Sequence, residues 1–285
     1  MTTSNEKDVK FKFNPVYLVP ILASMFFGLG CAWILRPQQG PYAPVLPPVT
    51  PFPDDTMSGP LGNAIFFVIL VAISATVFYF LLKQNKVKFI KIAILSVMTL
   101  ATLLLSIIYL STLLANTPFY SLPLIGALTI GITILFDLAI FKYTKAQNIA
   151  VIALGGAFGA LFSFLLPPYS AIAILIFLAI YDIFAVYRGP VGKIAQNGID
   201  QLSGLSYSFK DIQMGLGDLF FYTVLVGIMF FNFPNSILPT IMSIIGICIG
   251  SIITFYMLDK KGIFPGLPFP IAIGLPLGFI TALLI

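Results

Sequence analysis

Apolar residues in this chain fall in long unbroken runs, not in the alternation of a half-buried strand or the one-sided stripe of a surface helix. Bounded by charge, proline or polar clusters, the runs lie at about 16–35, 61–82, 89–115, 121–141, 149–166, 170–187, 212–233, 236–258 and 266–285. A helix needs about 20 largely apolar residues to cross a bilayer. The pattern therefore predicts an all-α polytopic membrane protein, a single domain over 1–285 with nine transmembrane helices. Two connections are long. Residues 36–60 are proline-rich and too poor in helix formers to be a span. Residues 188–211 are polar and rich in Gly and Ser, which predicts a flexible loop between helices 1–6 (about 16–187) and helices 7–9 (about 212–285). No internal repeat is evident.

Basic residues orient this plan. Lys7, Lys10 and Lys12 precede helix 1; Lys83, Lys86, Lys88 and Lys91 join helices 2 and 3; Lys142 and Lys145 join 4 and 5. Arg188, Lys193 and Lys210 lie between helices 6 and 7, and Lys260 and Lys261 between 8 and 9. Fourteen of the fifteen thus share one face, with Arg36 the exception. By the positive-inside rule that face is cytoplasmic, so the amino terminus is expected inside and the carboxyl terminus outside. Eight or ten spans would scramble the alternation. The first apolar run is long enough to remain as a span instead of being removed as a signal.

Composition then narrows the chemistry. Of 285 residues, 59% are hydrophobic and 9% charged, with a mean hydropathy of +1.04; that is too little charge to cover a soluble globule, which excludes a water-soluble enzyme. Histidine is absent. No Ser-His or Cys-His pair, His-ligated zinc or HExxH motif can therefore form. Cys31 and Cys248 lie within apolar runs and read as small hydrophobes. The net charge of +5 is not gathered into a basic patch with interleaved aromatics, so nucleic acid is not an expected partner.

Seven of the ten acidic residues lie in loops or near the termini, leaving Asp137, Asp182 and Asp218 within spans. Intramembrane carboxylates are costly and mark functional sites. Asp182 precedes Arg188 by six residues and Asp218 follows Asp211 by seven, which puts both about 10 Å beneath the same interface. Helices 6 and 7 are consecutive and antiparallel, so the two carboxyls can meet at one level and hold a single proton between them. Such a pair suits hydrolysis: one member takes a proton from water while the other polarises the scissile carbonyl. Asp137 lies close to Lys142 and Lys145 and reads as an interfacial acid that pairs locally. A structural hydrogen bond between helices is the plainer reading of the pair.

The surrounding residues read Tyr181-Asp182 in helix 6, Gly215-Leu216-Gly217-Asp218 at the start of helix 7 and Pro265-Gly266-Leu267-Pro268 at the start of helix 9. These resemble the YD, GxGD and PALP signatures of the presenilin and signal peptide peptidase family of intramembrane aspartyl proteases, in the family's order and on its helices 6, 7 and 9. Gly266 stands where the family has alanine. The resemblance implies that Asp182 and Asp218 are the catalytic dyad and that Tyr181, Gly215, Leu216, Gly217, Pro265, Gly266, Leu267 and Pro268 border the substrate. It implies a cell-membrane protease for transmembrane protein or peptide substrates, with no metal or organic cofactor. The inward amino terminus is similar to the presenilin orientation, which implies substrates with an outside amino terminus. Similarity to compact microbial homologues implies activity without accessory subunits, alone or as a homo-oligomer.

Physical expectations stand beside the resemblance. Gly215 and Gly217 remove bulk next to Asp218 and would let another backbone approach, or pack helices through small residues. Gly155 and Gly159 have packing spacing. The prolines at 265 and 268 leave backbone groups unpaired at the depth of the acids, and the flanks of Leu267 could pair with an unwound substrate strand. A proton- or cation-conducting channel or transporter using the same acids is the rival from another class. A prepilin-peptidase-like enzyme shares GxGD, but nine spans and PGLP argue against it.

Overall fold

The computed structural model describes residues 14–36, 49–56, 58–84, 86–115, 117–142, 144–189, 206–209, 212–233 and 236–284. Its elements are α1 (Val19–Leu35, after a 3-10 turn Pro15–Leu18), α2 (Ser58–Lys83), α3 (Val87–Leu114), α4 (Leu122–Lys142), α5 (Thr144–Leu165) and α6 (Pro168–Tyr187). A hairpin of β1 (Ser206–Phe209) and β2 (Ile212–Gly215) follows, then α7 (Leu216–Asn232), α8 (Ile237–Lys261) and α9 (Pro268–Leu284). Six of these helical segments are long and apolar enough to cross a membrane, while α4, α7 and α9 have shorter apolar stretches. The first three helices carry large apolar side chains outward, among them Phe26, Trp33, Phe66, Ile73, Phe89 and Leu100. On α2 none of the most apolar stretch is buried within the protein. A membrane protein covers such faces with lipid.

At the centre is α7. Leu219, Tyr222 and every residue from Thr223 to Met229 are buried, and a helix that is apolar all round belongs in an interior. Around it pack α1, α5, α6, α8 and α9. Close approach depends on glycine: a Cβ at Gly155 would lie 3.0 Å from Leu219 Cβ, and one at Gly159 2.6 Å from Thr223 Cβ. Both glycines therefore pack α5 on α7, as their spacing predicted. Gly246 opposes Gly274 in the same way where α8 meets α9.

Helix 7 was expected from 212, but residues 212–215 are instead a strand. β1 and β2 pair antiparallel in the register Ser206 with Gly215 and Phe209 with Ile212. Thus part of the expected loop is ordered backbone, while 190–205 and 210–211 lie outside the described residues. So do the amino-terminal lysines and most of the proline-rich connection. At 17 residues, α7 and α9 are each about 26 Å long.

Candidate active site

α8 ends at Gly262, whose φ of 74° opens a turn that L side chains resist. Its amide donates to Leu258 O at 2.8 Å. Residues 263–267 are then non-helical until Pro268 starts α9. Aromatic contacts fasten this turn to the end of α6: Tyr187 meets Phe264 edge-on at 6.4 Å, Phe264 stacks on Phe269 at 5.6 Å, and Lys261 Nζ lies 6.0 and 5.6 Å from the Tyr187 and Phe264 rings.

Both acids singled out in the sequence come to this turn. The amide of Leu267 donates to Asp182 Oδ2 at 3.0 Å. On the neighbouring residue, a Cβ placed on Gly266 would lie 2.7 Å from Asp218 Oδ1 and 2.8 Å from its Cγ and Oδ2. Two carboxyls from different helices therefore flank one dipeptide. Asp218 is in the first turn of α7, just beyond the end of β2. A third side chain completes the frame: Tyr222, 2% exposed and one turn after Asp218, donates its hydroxyl to Gly266 O at 2.9 Å. Gly266 and Leu267 are thus held by α6 through an amide and by α7 through a carbonyl.

The remaining motif residues divide. Pro265 and Leu267 are buried, while Tyr181, Leu216, Gly266 and Pro268 are partly so. Gly215 and Gly217 do not pack helices. Among the described residues, a Cβ on Gly217 would meet nothing within 4 Å, and one on Gly215 only Asp218 Oδ2 and Gly217 N at 3.9 Å. The expected close approach of another backbone is not made by any described residue, and Gly217 borders open space next to Asp218 in the chain. The backbone groups of the 265–268 turn differ from expectation too, since Leu267 N, Gly266 O and Leu267 O all have partners, the last being the Ile271 amide. Asp137 accepts from Thr99 Oγ1 at 2.9 Å on α3, while the side chains of Lys142 and Lys145 lie outside the described residues. Among the described residues no three His, Cys, Asp or Glu side chains group as metal ligands.

Sequence reasoning overlooked Tyr222 and two hydroxyls of α8, Ser251 and Thr254, which border Asp218. Signals for them exist. Tyr222 is four residues from Asp218 and shares its helix face. Ser251 and Thr254 precede Lys260 by nine and six residues, which is the depth inferred for the acids.

No protein-family model and no curated protein matches the chain. Solved structures do. A presenilin family intramembrane aspartate protease in space group C222 aligns with a TM-score of 0.65 at 22% identity, over 94% of this chain and 99% of that one. A structure of such a protease in space group P2 aligns at 0.61 and 23% identity, over 94% and 97%. This chain has the fold of a presenilin family intramembrane aspartate protease, the family whose three signatures its own motifs resemble.

Proposed function

We propose that the protein is an intramembrane aspartyl protease that cuts peptide bonds within transmembrane segments, using Asp182 and Asp218 and one water. The observation that carries this reading is the convergence of both acids on Gly266 and Leu267. The fold of the solved proteases supports it. One carboxyl of the pair is protonated and the other ionised. The ionised member takes a proton from water, and the water oxygen adds to the scissile carbonyl carbon. The protonated member donates to the carbonyl oxygen. Collapse breaks the carbon–nitrogen bond: the amine leaves with a proton from one member, and a hydroxyl of the tetrahedral intermediate returns its proton to the other, which leaves a carboxylic acid and the pair again holding one proton.

Nine spans, an inside amino terminus and an outside carboxyl terminus belong to the same proposal and rest on the apolar runs and the lysine pattern, while residence in the cell membrane rests on the family resemblance. The substrate is a transmembrane protein or peptide, cleaved without accessory subunits by the chain alone or as a homo-oligomer. A helix cannot be cut while its amides are engaged internally, so the substrate must unwind against a backbone edge. The turn at 265–268 is less suited to this than it looked, because its amide and carbonyls are taken. The β1–β2 hairpin offers a better edge: it ends at Gly215, with open space at Gly217, and a two-stranded ribbon leaves backbone groups free to pair.

The deciding experiment incubates the purified protein in detergent with a single-span substrate and compares Asp182→Ala and Asp218→Ala. Cleavage by the unmodified chain and by neither variant is the expected result. Absence of proteolysis in all three, with ion flux in reconstituted vesicles, would assign the acids to a channel or transporter.

A further inference from the structure

Two hydroxyls beside the acids have no role so far. Ser251 and Thr254 are three residues apart on α8 and share a face, and they are 1% and 6% exposed. Neither Ser251 Oγ nor Thr254 Oγ1 makes a hydrogen bond among the described residues. Hydroxyls within apolar helices commonly bond the carbonyl one turn earlier, as Thr223 does to Leu219 O at 2.9 Å. Ser251 and Thr254 forgo that bond, and a buried polar atom left unpaired is costly unless something else satisfies it.

Both line a cavity of about 70 Å³ that they share with Asp218, Tyr222, Met214 and Phe255. No residue of α6 borders it, so it reaches Asp218 from a side other than that of Asp182. We propose that this cavity is a water site that holds the hydrolytic water in reserve against Asp218. At roughly 30 Å³ per molecule, with two to four polar partners each, it has room for two waters. Their partners are Ser251 Oγ, Thr254 Oγ1, the Asp218 carboxyl and the Tyr222 hydroxyl. That last oxygen has given its proton to Gly266 O, so its lone pairs can accept, either from the neighbouring Ser251 hydroxyl or from water. The purpose of the site rests on the protease reading. Each cut consumes one water, which the hydrocarbon does not supply.

The test uses the full chain in detergent and two near-isosteric changes, Ser251→Ala and Thr254→Val, singly and together. X-ray radiolytic hydroxyl labelling reports buried side chains that touch bound water. Met214 and Phe255, 6% and 5% exposed, are expected to label in the unmodified protein and to lose that labelling in the double variant, whose thermal transition shows it folded. With a single-span substrate, kcat of the double variant should fall roughly tenfold at unchanged KM. Absent labelling of both residues in the unmodified protein overturns the site, as does an unchanged kcat in the double variant. A change in KM and in the preferred residue near the cut, at constant kcat, overturns it in favour of a substrate side-chain pocket. Labelling that persists while neither the unmodified chain nor Asp218→Asn cleaves anything supports the water site and removes the protease.

Discussion

One helix, α6, carries a polar cluster at each end, and the two are built on opposite plans. At its start, Asp54 Oδ1 and Oδ2 accept the amides of Ser170 and Tyr169 at 3.0 Å, and Oδ1 also accepts the Ser170 hydroxyl. Asn63, fully buried, gives Nδ2 to Ser170 Oγ at 2.7 Å and to Phe52 O at 2.9 Å, and its Oδ1 takes the Phe52 amide at 3.0 Å. Here the buried polar groups satisfy one another, which fastens residues 52–54 to α2 and α6. Twelve residues along, about 18 Å up the helix, Asp182 and Asp218 meet a single turn near two buried hydroxyls whose bonding is not completed among the described residues. A closed network fixes a fold. An open one has bonding capacity left over for a substrate and for water.

The largest expected effect removes chemistry from the open cluster. Asp182→Asn or Asp218→Asn should lower cleavage at least about a thousandfold and leave the thermal transition in place, read by a substrate assay beside calorimetry in detergent. Asn63→Leu is the converse. It strands the Phe52 backbone groups and the Ser170 hydroxyl, so stability should fall by about 2–4 kcal/mol, seen as a lowered unfolding midpoint, with cleavage per folded molecule nearly unchanged. If Asn63→Leu instead abolished cleavage without loosening the fold, the contrast between the two ends would collapse.

Finer tests use the glycines. Gly266→Ala installs the alanine of the PALP signature that this turn resembles, yet its Cβ would sit 2.7 Å from Asp218 Oδ1 and push the carboxyl aside. Because catalysis depends steeply on placement, kcat should drop about tenfold. Gly217→Ala meets nothing among the described residues; it should raise KM severalfold at similar kcat if the substrate lies there. Smallest is Tyr222→Phe, which deletes the bond to Gly266 O. A loss of about 1 kcal/mol in stability is expected, with a modest fall in kcat.

Much of this was legible before any coordinates. Asp182 and Asp218 stood out because carboxylates are rare within apolar runs, and their spacing from Arg188 and Lys210 gave both one expected depth. The α8 hydroxyls were not legible, since Ser and Thr within a helix normally satisfy themselves, as Thr223 and Thr240 do; only the fold reveals which ones do not. The hairpin was hidden for another reason. Ile212 and Met214 continue the apolar run of α7, and a short apolar stretch reads equally well as strand or helix. The role of Gly266 needed the third dimension, because its neighbour Asp218 is 48 residues away in the chain.

The brevity of α9 carries a consequence for the lipid, which its exposed Ile280, Leu283 and Leu284 face. With 17 residues, a spanning α9 falls several ångströms short of a hydrocarbon layer about 30 Å thick. Lipids beside it must compress, at a cost of fractions of a kcal/mol per ångström of mismatch. Cleavage should therefore answer to acyl-chain length in reconstituted vesicles, rising in thinner bilayers where that compression is relieved.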